Sequence, residues 1–89
     1  MMKKILLLLL LLLPIVLAQD SYNQGATTTS GGHTVKIVMI GQSSVVFDVD
    51  GVKNIVGLNE NKVINGVDIS VAEIFYTEEA SSRYTKVAM

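Results

Sequence analysis

From His33 to the C-terminus nearly all of the chain reads as strand, and in several stretches apolar and polar positions alternate, the pattern of strands with one dry and one wet face. His33 to Ile40 sets Val35, Ile37 and Met39 against Lys36. Val38 and Ile40 are apolar as well, so this stretch reads as a strand covered on both faces for part of its length. Gly41, Gln42 and Ser43 turn the chain. Ser44 to Val49 then carries Val45, Phe47 and Val49 on one face and Asp48 on the other. Asp50-Gly51 predicts a two-residue hairpin turn, which sets Val52 opposite Val49 and starts a return strand over 52–58. Asn59, Glu60 and Asn61 turn again into a short strand over 62–64.

The longest element follows. Asn65-Gly66 tolerates the positive φ of a tight turn. Val67, Ile69 and Val71 alternate with Asp68 and Ser70, and the parity breaks at Ala72-Glu73 before Ile74 and Tyr76. One shift of parity within a continuous strand predicts a β-bulge. Residues 67–77 are thus expected to form one bent strand passing from one sheet to the other. A polar loop over 78–82 leads to a last strand over 83–89. No stretch of this region carries apolar residues at i, i+3, i+4 and i+7. The fold class expected is all-β: a small antiparallel β-sandwich or partly open barrel of five to six strands. Asp48, Asp50 and Asp68, on outward positions, are expected to discourage edge-to-edge pairing.

Two other segments precede this domain. Residues 1–18 open with Lys3 and Lys4, continue with apolar residues from Ile5 to Leu17 around Pro14, and end Val16-Leu17-Ala18. That is the order of a secretory signal peptide, or of a retained N-terminal anchor. Its 13 apolar residues fall short of the ~20 that a spanning helix needs. Residues 19–32, QDSYNQGATTTSGG, lack apolar periodicity and read as a flexible Ser/Thr/Gly linker. The expected division is a signal peptide at 1–18, a linker at 19–32 and a β domain at 33–89. Localisation is extracytoplasmic, secreted or envelope-associated. Membrane contact arises only if the N-terminal segment is retained.

Composition narrows the function. The chain has no Cys, so an exported domain of this size must fold without disulfides. From Gln19 onward there are five Lys/Arg and eight Asp/Glu, a net charge of 5 − 8 = −3. Without basic clusters, a nucleic-acid partner is not expected.

Candidate chemistry is sparse. Asp48-Val49-Asp50-Gly51 matches the first half of a calcium loop, but the third oxygen ligand before the Gly and the late Glu are missing. Asp48 and Asp50 are therefore the metal candidates, and the hairpin already explains Asp50 and Gly51. His33 is the only His and cannot build a zinc site alone. No G-x-S-x-G elbow, phosphate loop or dinucleotide motif is present. Glu73, at the parity break, is expected to escape to solvent or to pair with Arg83 or Lys86. Phe75 and Tyr76 fall on opposite sides of a strand, so one of them is expected in the core and no three-ring platform with Tyr84 is expected. No catalytic residue, cofactor site or metal is assigned; the turn residues Asp50, Gly51, Asn65 and Gly66 are structural.

The succession TVKIVMIG, VVFDVDGV, a Gly-Leu turn, VINGVDISVAEIFY and a short terminal strand resembles small exported β-domain proteins of archaeal cell envelopes, including modules of surface-layer-like proteins. The resemblance covers residues 33–89. It implies a signal peptide, a β-sandwich and an envelope location, and it carries over no catalytic residues. The expected function is a non-enzymatic structural or protein-interaction module of the envelope. The alternative is a small extracellular ligand-binding domain for carbohydrate, peptide or calcium. The expected partner is an envelope protein, or a second copy joined through an edge strand, because Val38 and Ile40 add apolar surface that a small sandwich must cover.

Overall fold

The computed structural model describes residues 19–89, so the expected signal peptide lies outside the described residues. Eight strands form two four-stranded antiparallel sheets that do not close on each other. The strands are β1 Gln19–Asn23, β2 Thr27–Ser30, β3 His33–Ile40, β4 Ser44–Val49, β5 Val52–Gly57, β6 Asn61–Ile64, β7 Val67–Phe75 and β8 Tyr84–Ala88. One sheet has the order β2-β3-β4-β5 and the other β1-β8-β7-β6. We call them the β2–β5 sheet and the β1/β6–β8 sheet. The architecture is an open sandwich.

The core is built by the period-2 residues of both sheets. Val35, Ile37, Val45, Phe47, Val49 and Val56 from one sheet face Ile64, Val67, Ile69, Val71 and Val87 from the other. Phe47, the largest buried side chain, lies at the middle of β4, beside Ile37 on β3 and Asn54 on β5. Val, Ile and Phe suit this place because branched and aromatic side chains pack well on a pleated, half-buried surface.

Three hairpin turns each use two residues with positive φ, and Gly31 (φ 54°) and Gly32 (φ 83°) form the one between β2 and β3. Asp50 (φ 49°) and Gly51 (φ 90°) join β4 to β5, and Asn65 (φ 45°) and Gly66 (φ 83°) join β6 to β7. Such turns match the twist of the strands they connect. A Cβ added at Gly51 would meet no atom within 4 Å, so only the backbone opposes a side chain there. Gly51→Val is therefore expected to destabilise by more than ~1 kcal/mol, the cost of left-handed backbone for a β-branched residue. Gly51→Asn should cost less. Thermal melting of the two variants checks the order, and equal midpoints would refute it.

The segment expected to be a flexible linker is structured. β1 pairs with β8 from Gln19↔Ala88 to Asn23↔Tyr84, and β2 pairs with β3 from Thr27↔Lys36 to Ser30↔His33. The polar sequence of both strands is explained by their position at sheet edges, where one side of each meets water. The chain changes sheets between them, at Gln24, Gly25 and Ala26. Gln24 Oε1 accepts from the Ile40 N–H (3.0 Å) and from Arg83 Nη1 (3.3 Å), which ties the sheets together at that corner. β7, expected to cross between sheets, stays within one. Its bulge is real: the register with β8 shifts between Val71 and Glu73. The buried Thr85 hydroxyl donates to the Glu73 carbonyl there (2.8 Å).

A second bulge corrects the reading of β3. Its register with β4 shifts between Ile37 and Met39. The extra residue, Val38, turns Ile40 back into the core, where it is fully buried, and sends Met39 outward. Ile40 is thus covered by its own domain and calls for no second chain. Ile40→Thr is expected to cost about 1–3 kcal/mol, through lost packing and a buried hydroxyl without a planned partner. A melting midpoint unchanged from wild type would contradict this burial.

Edge protection also differs from expectation. Asp48 and Asp68 lie on interior strands, β4 and β7, and Asp50 lies in a turn, so none guards an edge. The free edge of β5 is instead capped by neighbouring groups. The Ile55 N–H donates to Asn54 Oδ1 (2.8 Å) and the Ile55 carbonyl accepts from Lys62 Nζ (2.6 Å). The Gly57 N–H donates to Glu60 Oε1 (3.2 Å), and its carbonyl accepts from the Glu60 N–H (3.0 Å). Beyond β5, Leu58 bridges to Val71 in parallel, so the seam between β5 and β6 is laced shut.

Candidate functional site

The residues singled out by the sequence gather at one end of the sandwich, where the turns Asp50-Gly51 and Asn65-Gly66 lie close to a third turn, Gly31-Gly32. Asp50 joins two of them. Its Oδ1 accepts from the Thr34 N–H (2.9 Å) and its Oδ2 lies 2.6 Å from His33 Nδ1. A carboxylate only accepts, so Nδ1 carries the proton in this pair. The other ring nitrogen of His33 points toward Gly66, whose added Cβ would sit 3.6 Å from it. The Asn65 amide donates to the Val49 carbonyl (3.1 Å). Asp48 Oδ1 accepts from the Gly51 N–H (2.7 Å) inside the hairpin.

These contacts account for the candidate metal pair. Asp48 and Asp50 are two residues apart, yet Asp50 commits both oxygens to the Thr34 N–H and His33, and Asp48 commits one to the Gly51 N–H. Among the described residues, no group of three or more His, Cys, Asp or Glu side chains is placed to hold a metal ion. Millimolar calcium is expected to leave the melting midpoint unchanged; a rise of several degrees that chelator reverses would refute this.

The Thr34 N–H, then the His33 ring, hold the Asp50 carboxyl below its ordinary range. A depressed folded value means that the stabilisation is present above the unfolded pKa of about 3.9 and is lost as pH falls through the lower folded value. Asp50→Asn should therefore melt below wild type at pH 6, and the two midpoints should converge once the pH has fallen below the lowered folded value. A gap that persists at that acidity would show that Asp50 acts through shape and not charge.

The opposite end carries the rings Phe75, Tyr76 and Tyr84, one of which was expected in the core. Phe75 and Tyr84, register partners on β7 and β8, stack on the outer face of the β1/β6–β8 sheet with centroids 5.0 Å apart and planes 13° from parallel. Tyr76 lies just past the end of β7, with the Arg83 guanidinium 4.3 Å above its ring. Phe75 is 45% exposed and Tyr76 38%, so neither is core. The expectation of one buried ring assumed a strand running through Tyr76. β7 ends at Phe75, and strand parity no longer governs the next residue. Arg83 also donates to the Thr77 carbonyl (2.7 Å), which fixes the loop after β7. On the same face, Glu73 is exposed and pairs with Lys86 (3.5 Å). Further along, the Asn61 amide donates to Asp68 and Ser70 beside a groove of about 260 Å³ that reaches Ala88 and Met89.

This geometry is one of surfaces. The rings, the Glu73–Lys86 pair and the Asn61 groove follow one another along a single sheet face. A scan against family models and searches of curated proteins and of solved structures returned no match to this chain.

Proposed function

We propose that the chain is an exported, non-enzymatic interaction module of the cell envelope that works through the outer face of its β1/β6–β8 sheet. The observation that carries this reading is the Phe75–Tyr84 stack. Two rings held parallel on adjacent strands, one of them nearly half exposed, form a rigid apolar patch with a polar surround. Aromatic side chains in such patches anchor interfaces because they offer large area at little cost in side-chain entropy. The signal-like sequence of residues 1–18 supports export. β1 runs from Gln19, beside Ala88, to Asn23, beside Tyr84, about 13 Å along the strand. A chain held by its N-terminal segment would carry the Tyr84 ring at the end of β8 away from its anchor.

The test is co-sedimentation of the purified protein with isolated cell envelopes. Saturable binding is expected, with a loss of at least tenfold in Phe75→Ser and Tyr84→Ser while the melting midpoint stays within a few degrees. Binding that ignores both substitutions, or a protein retained in the cytoplasm, would refute the proposal.

A second reading is favoured by the Asn61 groove. An amide, a carboxylate and a hydroxyl lie on the same face as two rings, the pairing of hydrogen-bonding and stacking groups that suits a saccharide. Loss of envelope binding on enzymatic removal of envelope polysaccharide, but not on protease treatment, would favour it.

A further inference from the structure

The two seams of the sandwich are unlike. The seam between β5 and β6 is closed by Asn54, Lys62 and Glu60, as described. The seam between β1 and β2 holds a cavity of about 160 Å³ instead, lined by Asp20, Tyr22, Thr29 and Ser30 over Val87 and Met89. The adjoining edge of β2 is open. The Ile37 N–H donates to the Ala26 carbonyl, and that spacing makes Thr28↔Val35 and Ser30↔His33 the hydrogen-bonded pairs of the hairpin. Thr27 and Thr29 therefore turn their backbone N–H and C=O groups away from β3, toward the seam. Among the described residues no side chain caps them.

We infer that this seam docks an extended peptide segment of a partner, which adds to β2 as a fifth strand and carries a Lys or Arg side chain into the cavity. Strand addition draws its affinity from main-chain hydrogen bonds and its specificity from pockets for alternate side chains. Here the main-chain groups are those of Thr27 and Thr29. Residues of the incoming strand opposite Thr28 and Ser30 turn inward, toward the cavity. A void of about 150 Å³ holds one benzene-sized group, so the space takes a single side chain and not a folded ligand. Its chemistry selects the side chain. Val87, Met89 and the Tyr22 ring offer an apolar bed for an alkyl stem, and the Asp20 carboxylate, on the same inward face as Tyr22, offers the counter-charge. This surface is distinct from the Phe75–Tyr84 face and its argument is independent of that one.

Fluorescence anisotropy tests it, using the chain as its host processes it and a labelled, end-blocked Val-Lys-Val-Lys-Val peptide as probe. Saturable binding is expected, weakened by salt, and at least tenfold tighter than for the same peptide with glutamate in place of lysine. Thr29→Pro removes an N–H that β3 does not use, so it should leave the melting midpoint near wild type and reduce binding at least tenfold. Asp20→Asn should abolish the preference for lysine over glutamate. Should Thr29→Pro fail to fold, a probe methylated on alternate backbone nitrogens makes the same test without altering the protein, and it should not bind. Equal binding of the methylated probe, unchanged lysine preference in Asp20→Asn, or no saturable binding at millimolar peptide would each overturn the inference. A peptide-free dimer that Thr29→Pro dissociates would do so too, by putting a second copy in the seam. Envelope co-sedimentation that survives while peptide binding fails would overturn strand addition and leave the aromatic-face proposal standing.

Discussion

Phe47→Ala is expected to cost the domain between about a quarter and all of its folding stability. Phe47 is fully buried at the centre of β4, between Ile37 and Asn54 in the register of the sheet. Removing a buried phenylalanine ring costs about 3–5 kcal/mol, because the lost transfer energy is joined by the cavity left behind. The described domain has 89 − 18 = 71 residues. At 0.05–0.15 kcal/mol per residue its whole stability is about 4–11 kcal/mol. The substitution thus removes about a quarter of the stability at the least and all of it at the most. The melting midpoint should fall by roughly 12–40 °C. Phe47→Leu fills most of the same volume and should cost under about 1.5 kcal/mol. Comparing the two by calorimetry separates lost volume from lost aromaticity. A drop under about 5 °C for the alanine variant would mean that Phe47 is not enclosed as described.

β3, β4, β7 and β8 were legible because each has a buried face, and a buried face writes a period of 2 into the sequence, whereas β5 and β6, with one buried residue each (Val56 and Ile64), were legible from the turns that bound them. Val45, Phe47 and Val49 are one such face, and Val67, Ile69 and Val71 another. β1 and β2 lack that contrast. In β2 the inward Thr28 and the outward Thr27 and Thr29 are the same residue type, so no pattern separates the faces. The available signal was propensity: three consecutive β-branched threonines favour a strand, and Gly31-Gly32 supplies a turn toward β3. Two parity breaks were present in the chain. The one at Ala72-Glu73 fell between clearly apolar and polar positions and identified its bulge. The one at Val38 lay within an unbroken apolar run, where a bulge and two-sided burial read alike.

The candidate sites were less legible, since they depend on which strands become neighbours. Asp50 was visible as a turn residue, but its partner His33 is 17 positions away and meets it only because β3 and β4 pair. The Phe75–Tyr84 stack likewise needs the shifted register after the bulge: without that shift Phe75 would face Arg83, ahead of β8. The capped edge of β5 rests on side chains of β6 and the loop before it. Lys62, which reads as an ordinary surface charge, closes that edge at Ile55.

A chain beginning at His33 is expected not to fold, although the period-2 pattern places the whole domain there. Removing residues 19–32 strips β1 from β8 and β2 from β3. Each four-stranded sheet becomes three-stranded. The backbone groups of β3 and β8 that now pair inward become edges, and Val35 and Val87, both buried, lose the strands flanking them. Tyr22 and Ala26, which pack against the core, go as well. So does Gln24, whose carbonyl oxygen links Ile40 on one sheet to Arg83 beside the other. A 57-residue remnant would bury only about 60% of its extended surface even if well made. Two new edges, of which β3 is rich in Val and Ile, favour association over folding. A chain starting at Gln19 should melt cooperatively. The one starting at His33 should show no cooperative transition, little amide protection in hydrogen exchange, and aggregation at micromolar concentration. A cooperative melt of the shorter chain within about 5 °C of the longer one would show that β1 and β2 decorate the sandwich and do not complete it.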